Sequence, residues 1–158
     1  GSIIPFFLEL KKKNKPYLIT DKRMTRFMIT LEQSVNLVIQ AFNDMEGGET
    51  YVKKIPSMNI MDILNAIDPK PKIKLIGIRP GEKLHEQMIG YEDSVFTYEY
   101  SSFYKILPNI AEDNYLKKMI KNGKKVKRDF IYNSQNNKDY MDINFLTNWI
   151  LDNSKTFL

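Results

Sequence analysis

Ten consecutive residues, Gly77-Ile78-Arg79-Pro80-Gly81-Glu82-Lys83-Leu84-His85-Glu86, hold the densest set of groups able to do chemistry. A guanidinium and a carboxylate, Arg79 and Glu82, stand three positions apart across a Pro-Gly turn. The apolar run ending at Ile78 reads as a strand, and residues 82–89 read as a short helix after the turn. Ligands of α/β proteins collect off the carboxyl ends of strands. A helix N-terminus adds free N–H groups and a partial positive charge. Arg79 can grip a phosphate through two parallel N–H bonds, and the Glu82 carboxylate can accept two ribose hydroxyls. Spacing alone leaves a second reading open, in which Arg79 pairs with a surface carboxylate and Glu82 merely complements the helix dipole. His85, the only histidine, falls among charged residues with no second imidazole nearby in sequence, which fits a structural or solvent-exposed side chain better than an acid or base. In Arg23-Met24-Thr25-Arg26-Phe27 a turn runs into a strand. Either one of these arginines faces a ligand cleft, or they pair at the surface with Asp21 or Glu32.

What the sequence lacks is as informative. With no cysteine, disulfide scaffolds, thiolate catalysis and Cys-based zinc sites are excluded, and one histidine excludes a two-histidine metal site. There is no Gly-x-Gly-x-x-Gly or Walker-type loop. No tyrosine is followed four residues later by lysine, and there is no Gly-x-Ser-x-Gly elbow. The sequence therefore carries no self-sufficient catalytic centre. The formal charge is +5, and of the 24 basic residues only Arg23, Arg26, Arg79 and Arg128 are arginines. Lysine is abundant and says little. Arginine is scarce, so each one is a better candidate for a specific planar contact. The charge suits an anionic ligand such as a nucleotide phosphate or nucleic acid. The lysine runs at 11–13 and 121–127 have few interleaved aromatics, so they read as solvated faces and the nucleic-acid alternative is the weaker one.

These groups need a scaffold. A chain of 158 residues, 42% apolar, can bury a core and suits one compact domain over 1–158. No run resembles a membrane span or a signal peptide, so a soluble cytoplasmic protein is expected. Helices are predicted at 3–12, with Pro5 in the first turn, and at 31–45. The second opens on a Thr30/Gln33 capping box, carries Leu31, Val35, Val38, Phe42 and Met45 at core spacing, and closes at Gly47-Gly48. Further helices are predicted at 58–67, 114–121 and 143–152, the last capped by Asp142 with Leu146, Trp149 and Ile150 inward. Strands are predicted at 17–20, 25–29, 50–55, 72–78, 96–100 and 103–107. This alternation makes the fold class α/β.

Five stretches in order now form a pattern: Gly1-Ser2-Ile3-Ile4-Pro5-Phe6-Phe7, Ile19-Thr20-Asp21, Arg23-Met24-Thr25-Arg26-Phe27, Ile55-Pro56-Ser57-Met58, and Gly77 through Glu86. Together they resemble the C-terminal half of the inverting UDP-N-acetylglucosamine 4,6-dehydratases, a polysaccharide-biosynthesis branch of the extended short-chain dehydrogenases. The tail Asp129-Phe130-Ile131-Tyr132-Asn133-Ser134 is similar to the form that begins pseudaminic acid synthesis. The resemblance implies the last Rossmann strand and helix elements plus a small α/β substrate-binding subdomain. It implies that Arg79 holds the diphosphate or uridine ribose, Glu82 the ribose hydroxyls, and that Thr20 and Ile3 line the nucleotide pocket. Such enzymes bind NADP, oxidise the sugar at C4, eliminate water across C5 and C6, return hydride to C6 and invert C5. The cofactor loop and the Tyr/Lys pair belong to an N-terminal Rossmann half that this sequence does not contain, so this chain alone is expected to bind no cofactor and to be inactive. Its expected partners are a UDP-sugar, that Rossmann half and a second copy of itself. A C4 epimerase of the same scaffold is the near alternative. Met28 departs from the pattern, standing where many relatives carry tryptophan.

Overall fold

Pro5 sits in the first turn of α1 (Ile3–Lys12), where its missing N–H breaks no intrahelical bond. The structure is a computed structural model, and it describes residues 3–109 and 113–152. Gly1 and Ser2, with which the family pattern begins, lie outside the described residues. Where the length suits one body, the chain forms two compact units, one from Gly1–Met28, Pro56–Glu86 and Asn137–Leu158, the other from Ile29–Ile55 and Gln87–Asn136. Elements are numbered along the chain.

The first unit is built on α1. Ile4 and Phe7 point inward, one turn apart, and Phe7 meets the Tyr17 ring edge-on at 5.5 Å. Tyr17 and Ile19 of β1 (Tyr17–Ile19) are buried while Leu18 between them is exposed, the alternation of a half-covered strand. β1 runs parallel to β5 (Ile73–Leu75), with Tyr17 opposite Ile73 and Ile19 opposite Leu75. β2 (Thr25–Phe27) pairs antiparallel with β4 (Ser57–Asn59). Asn59 then caps α3 (Ile60–Ile67), its Oδ1 accepting from Met61 N at 2.7 Å. α3 buries Ile60, Ile63, Leu64 and Ile67, and packs on α1 and on α6 (Ile143–Asp152). Asp142 starts α6 as expected, its Oδ1 accepting from the amides of Asn144 and Phe145. Leu146 and Ile150 reach the core, and Trp149 packs at its edge.

The helix predicted at 58–67 therefore begins two residues late, because Ser57 to Asn59 are taken by the β2 ladder. Ser57 Oγ is fully buried and has no hydrogen-bond partner among the described residues. A buried hydroxyl left unpaired costs about 1–3 kcal/mol. Ser57→Ala is accordingly expected to leave stability unchanged or raise it by up to about 1 kcal/mol, read as the urea midpoint; a loss of more than that amount would show that the hydroxyl is satisfied after all.

The second unit centres on a four-stranded antiparallel sheet in the order β3 (Thr50–Lys53), β8 (Phe103–Ile106), β7 (Thr97–Glu99), β9 (Lys124–Lys125). Beside it β6 (Gln87–Ile89) pairs with β10 (Tyr132–Asn133). The short helix α4 (Tyr91–Ser94) and α5 (Asp113–Ile120) complete this unit with α2 (Leu31–Asp44). The aromatics of 96–104 pack, as Tyr100 stacks on Phe103 at 4.6 Å and Tyr104 lies 5.2 Å from Tyr132.

α2 forms where predicted and has both halves of its capping box. Two expectations about it fail. It stops at Asp44 with Met45 already extended, before the glycines, which instead take positive φ in the following turn. Its apolar stripe does not enter a core: Leu31 is 82% and Phe42 77% exposed, Val35, Val38 and Met45 are exposed too, and no residue of the helix is buried. Local capping and periodicity suffice to wind this helix; they do not supply a partner for its face.

The C-terminal end of α2 is pinned instead. Lys105 of β8 is completely buried, and its ammonium lies 2.5 Å from Asp44 Oδ2 and 2.9 Å from the Met119 carbonyl oxygen. Lys121 and the Tyr51 hydroxyl also donate to Asp44, at 2.6 and 2.7 Å. Burial works to raise the Asp44 pKa, but these three donors outweigh it and hold the carboxyl below its ordinary value. Burial, with Asp44 alongside, pushes the Tyr51 hydroxyl well above its usual range.

Candidate functional site

The Pro80-Gly81 turn brings Arg79 and Glu82 together. Pro80 supplies a fixed φ at the second position and Gly81 a φ of +82° at the third, the pattern of a type II turn. Glu82 N donates to the Arg79 carbonyl at 3.0 Å, closing it. In return the Glu82 carboxylate accepts from the Arg79 backbone N–H at 3.3 Å. Thr20, just beyond β1, places its hydroxyl 3.2 Å from Glu82 Oε1 and 3.1 Å from Met24 Sδ. All four residues singled out from the sequence, Ile3, Thr20, Arg79 and Glu82, line one cavity of about 170 Å3 in the first unit. Its lining also includes the apolar side chains of Phe6, Ile60 and Ile76.

The helix expected at 82–89 does not form. Residues 82–86 are irregular, with a single bridge between Thr25 and His85, and 87–89 form β6. The carbonyls a helix would use are taken by tertiary partners: Thr25 N and Arg26 Nη1 reach Leu84 O at 3.1 and 3.2 Å, and Arg26 Nη2 reaches Lys83 O at 3.2 Å. The segment after the turn therefore brings no helix N-terminus of its own to the cavity, and its contribution to binding an anion is the Arg79 side chain. Arg79 is exposed, and among the described residues no carboxylate makes an ion pair with its guanidinium. The surface-pair reading of Arg79 and the helix-dipole reading of Glu82 both lose their basis.

The two arginines near β2 divide. Arg23 is the surface pair, Nη2 to Asp21 Oδ2 at 2.7 Å, and its side-chain bond holds the Asp21 carboxyl down to about 2. Arg26 lines the cavity. Sequence reasoning left Arg26 out of the site, although the scarcity of arginine marked it. The packing of β2 against β4 decides which of the two turns inward. Among the described residues no cluster of histidine or acidic side chains could hold a metal ion, and no helix is long and apolar enough to cross a membrane.

At about 170 Å3 the cavity falls below the roughly 300–1,000 Å3 of a complete small-molecule site. It has the room and the groups for one end of a nucleotide: a guanidinium for phosphate, a carboxylate and a threonine hydroxyl for a sugar edge, and apolar side chains beside them.

Comparison with known proteins agrees with this setting. A family model described as polysaccharide biosynthesis protein matches residues 1–108. A UDP-N-acetylglucosamine 4,6-dehydratase (inverting) of Campylobacter jejuni subsp. jejuni serotype O:2 is 46% identical over 143 residues, which is 87% of this chain and 43% of that protein. The protein of the same description from serotype O:23/36 is 44% identical, over 89% of this chain and 44% of its own length. A UDP-glucose 4-epimerase of Rickettsia canadensis is 35% identical over 87% of this chain and 42% of its own. The chain thus spans less than half the length of these curated relatives. An X-ray structure of Pen from Bacillus thuringiensis superposes with a TM-score of 0.79 at 30% identity, over all of this chain and 46% of that one. The α/β class expected from the sequence is the class observed, as it must be for the C-terminal part of an extended short-chain dehydrogenase fold. With the family model covering 108 of its 158 residues, this chain belongs to the polysaccharide biosynthesis protein family.

Proposed function

We propose that this chain is the UDP-sugar-binding portion of a C5-inverting UDP-N-acetylglucosamine 4,6-dehydratase of surface-polysaccharide biosynthesis. The observation that carries the reading is the convergence of Ile3, Thr20, Arg79 and Glu82 on one cavity. In it Arg79 grips the diphosphate, Glu82 the ribose hydroxyls, and Thr20 and Ile3 the nucleotide face. Identity of 46% to the dehydratase against 35% to the epimerase favours dehydration over C4 epimerisation.

The reaction's cofactor, NADP by resemblance, does not fit the residues present. A dinucleotide cradle needs a strand that opens through glycines into a helix. Here β1 runs into the turn at Asp21, and β5 runs into the Pro80-Gly81 turn, neither reaching a helix. The work of this chain in the reaction is therefore to bind and orient the nucleotide. A calorimetric titration tests it: UDP and UDP-N-acetylglucosamine should bind, with short oligonucleotides and polyphosphate at least tenfold weaker. Equal affinity for every polyanion, with the steep salt dependence of counterion release, would favour a nucleic-acid module.

The partner in this reading is the N-terminal half that the relatives' extra length contains. The stripe of α2 is where it packs, since parallel Rossmann sheets have both faces covered by helices and an exposed apolar face of this extent marks an interface. Leu31, Val35, Val38 and Phe42 follow a four-three spacing that presents one continuous ridge along α2. Without that half the ridge is expected to draw two copies of the chain together. Sedimentation of the Leu31→Glu/Phe42→Glu variant should show a monomer where the parent self-associates; an unchanged distribution would remove α2 from the interface.

A further inference from the structure

The segment that carries Glu82 has no ladder or helix of its own, so its position depends on what fastens it. Contacts from β2 and from the core do so, among them an ion pair of 3.6 Å between Arg26 Nε and Glu86 Oε1. Thr25 N and the Arg26 guanidinium take the carbonyls of Lys83 and Leu84, groups that any residue would offer. Leu84 packs at the edge of the core. One contact from β2 reads the identity of a side chain here: Thr25 Oγ1 and His85 Nδ1 share a hydrogen bond of 2.8 Å. Thr25 is 5% exposed, and the same two residues form the lone parallel bridge that joins the segment to β2. Its hydroxyl can donate to a bare Nδ1 or accept from a protonated one, so the bond survives either imidazole tautomer. Three residues upstream, the Glu82 carboxylate accepts longer contacts from Thr20 and the Arg79 amide, at 3.2 and 3.3 Å.

We propose that His85 is a positioning residue: through Thr25 it latches residues 82–86 to β2 and so keeps the Glu82 carboxylate at the cavity. A binding group needs its support fixed by a second layer of contacts, since a displacement of about 1 Å forfeits most of its value. This inference rests on the reading of Glu82 as a ligand group, and it gives the chain's one histidine a role outside proton transfer.

The test uses the unmodified polypeptide and five variants. His85→Ala and Thr25→Val should each weaken UDP binding about tenfold, and the double variant should be no worse than either, as for two ends of one interaction. His85→Asn, whose amide reaches the place of Nδ1, should restore affinity, while His85→Gln, whose amide reaches the place of Nε2, should not. Exchange of the Thr25 amide, which is bonded to Leu84 O, should quicken at least tenfold in His85→Ala. The imidazole signal, single in this chain, should shift in Thr25→Val. Additive losses, or rescue by Gln equal to that by Asn, overturn the latch. If the parent fails to bind UDP, the ligand reading falls by itself; the exchange arm still decides, and an unaltered Thr25 amide rate in His85→Ala overturns the latch independently.

Discussion

Asp44→Ala is expected to destabilise the second unit by about 3–5 kcal/mol, the cost of stranding a buried charge. Lys105 is completely enclosed, and without Asp44 its ammonium keeps the Met119 carbonyl, the faces of Tyr51 and Tyr100, 5.1 and 5.3 Å away, and the more distant charge of Glu49. Those groups do not balance a full charge in a dry site. The reverse replacement is milder. Lys105→Met fills the space with apolar atoms and leaves Asp44, 27% exposed, with Lys121 and Tyr51 as donors. About 1–3 kcal/mol is expected there. Urea unfolding of the two variants checks the order. Equal costs would mean that the carboxylate, not the buried ammonium, is the group that cannot be left alone. The pH dependence follows from the same cluster. A carboxyl held below its ordinary value contributes stability that is complete above about 3.8 and is lost as the pH falls beneath it, and Asp44→Ala should lose that acid-side slope.

Glu82→Ala should weaken UDP binding by about 100-fold, and Arg79→Ala by about 10- to 100-fold, from charge-assisted hydrogen bonds of roughly 1.5–3 kcal/mol each. The two differ in setting. Glu82 is half-buried, touches Thr20 and the Arg79 amide, and has few positions open to it. Arg79 is exposed and must order its side chain on binding, which offsets part of its gain. Arg79→Ala should also flatten the salt dependence, while Glu82→Ala should leave it. Uridine should feel the loss of Glu82 and be nearly blind to the loss of Arg79. Indifference of UDP affinity to both substitutions would dissolve the site.

Much of this was readable from residue order. Pro80 and Gly81 dictate their turn through φ alone, so Arg79 and Glu82 had to meet across it. Thr30 with Gln33, and Asp142, start helices because their side chains answer amides two or three residues away. The strands at 17–19 and 103–106 follow from short β-branched and aromatic runs. These are contacts within one or two turns of chain, and local chemistry settles them.

Residues 82–89 show where that stops. Their pattern of apolar and charged side chains fits a helix, but its carbonyls find Thr25 and Arg26, nearly sixty residues away in sequence, and the helix gives way. The choice of Arg26 over Arg23 for the cavity, the burial of Lys105 among lysines that are otherwise solvated, and the exposure of the α2 stripe are of the same kind. By itself the sequence determined the Pro80-Gly81 turn, the caps at Thr30 and Asp142, the five longer helices and the family. Only the tertiary structure decided which faces are covered and which charge is enclosed, because burial and long-range pairing depend on what other segments bring alongside, and no spacing within a segment encodes that.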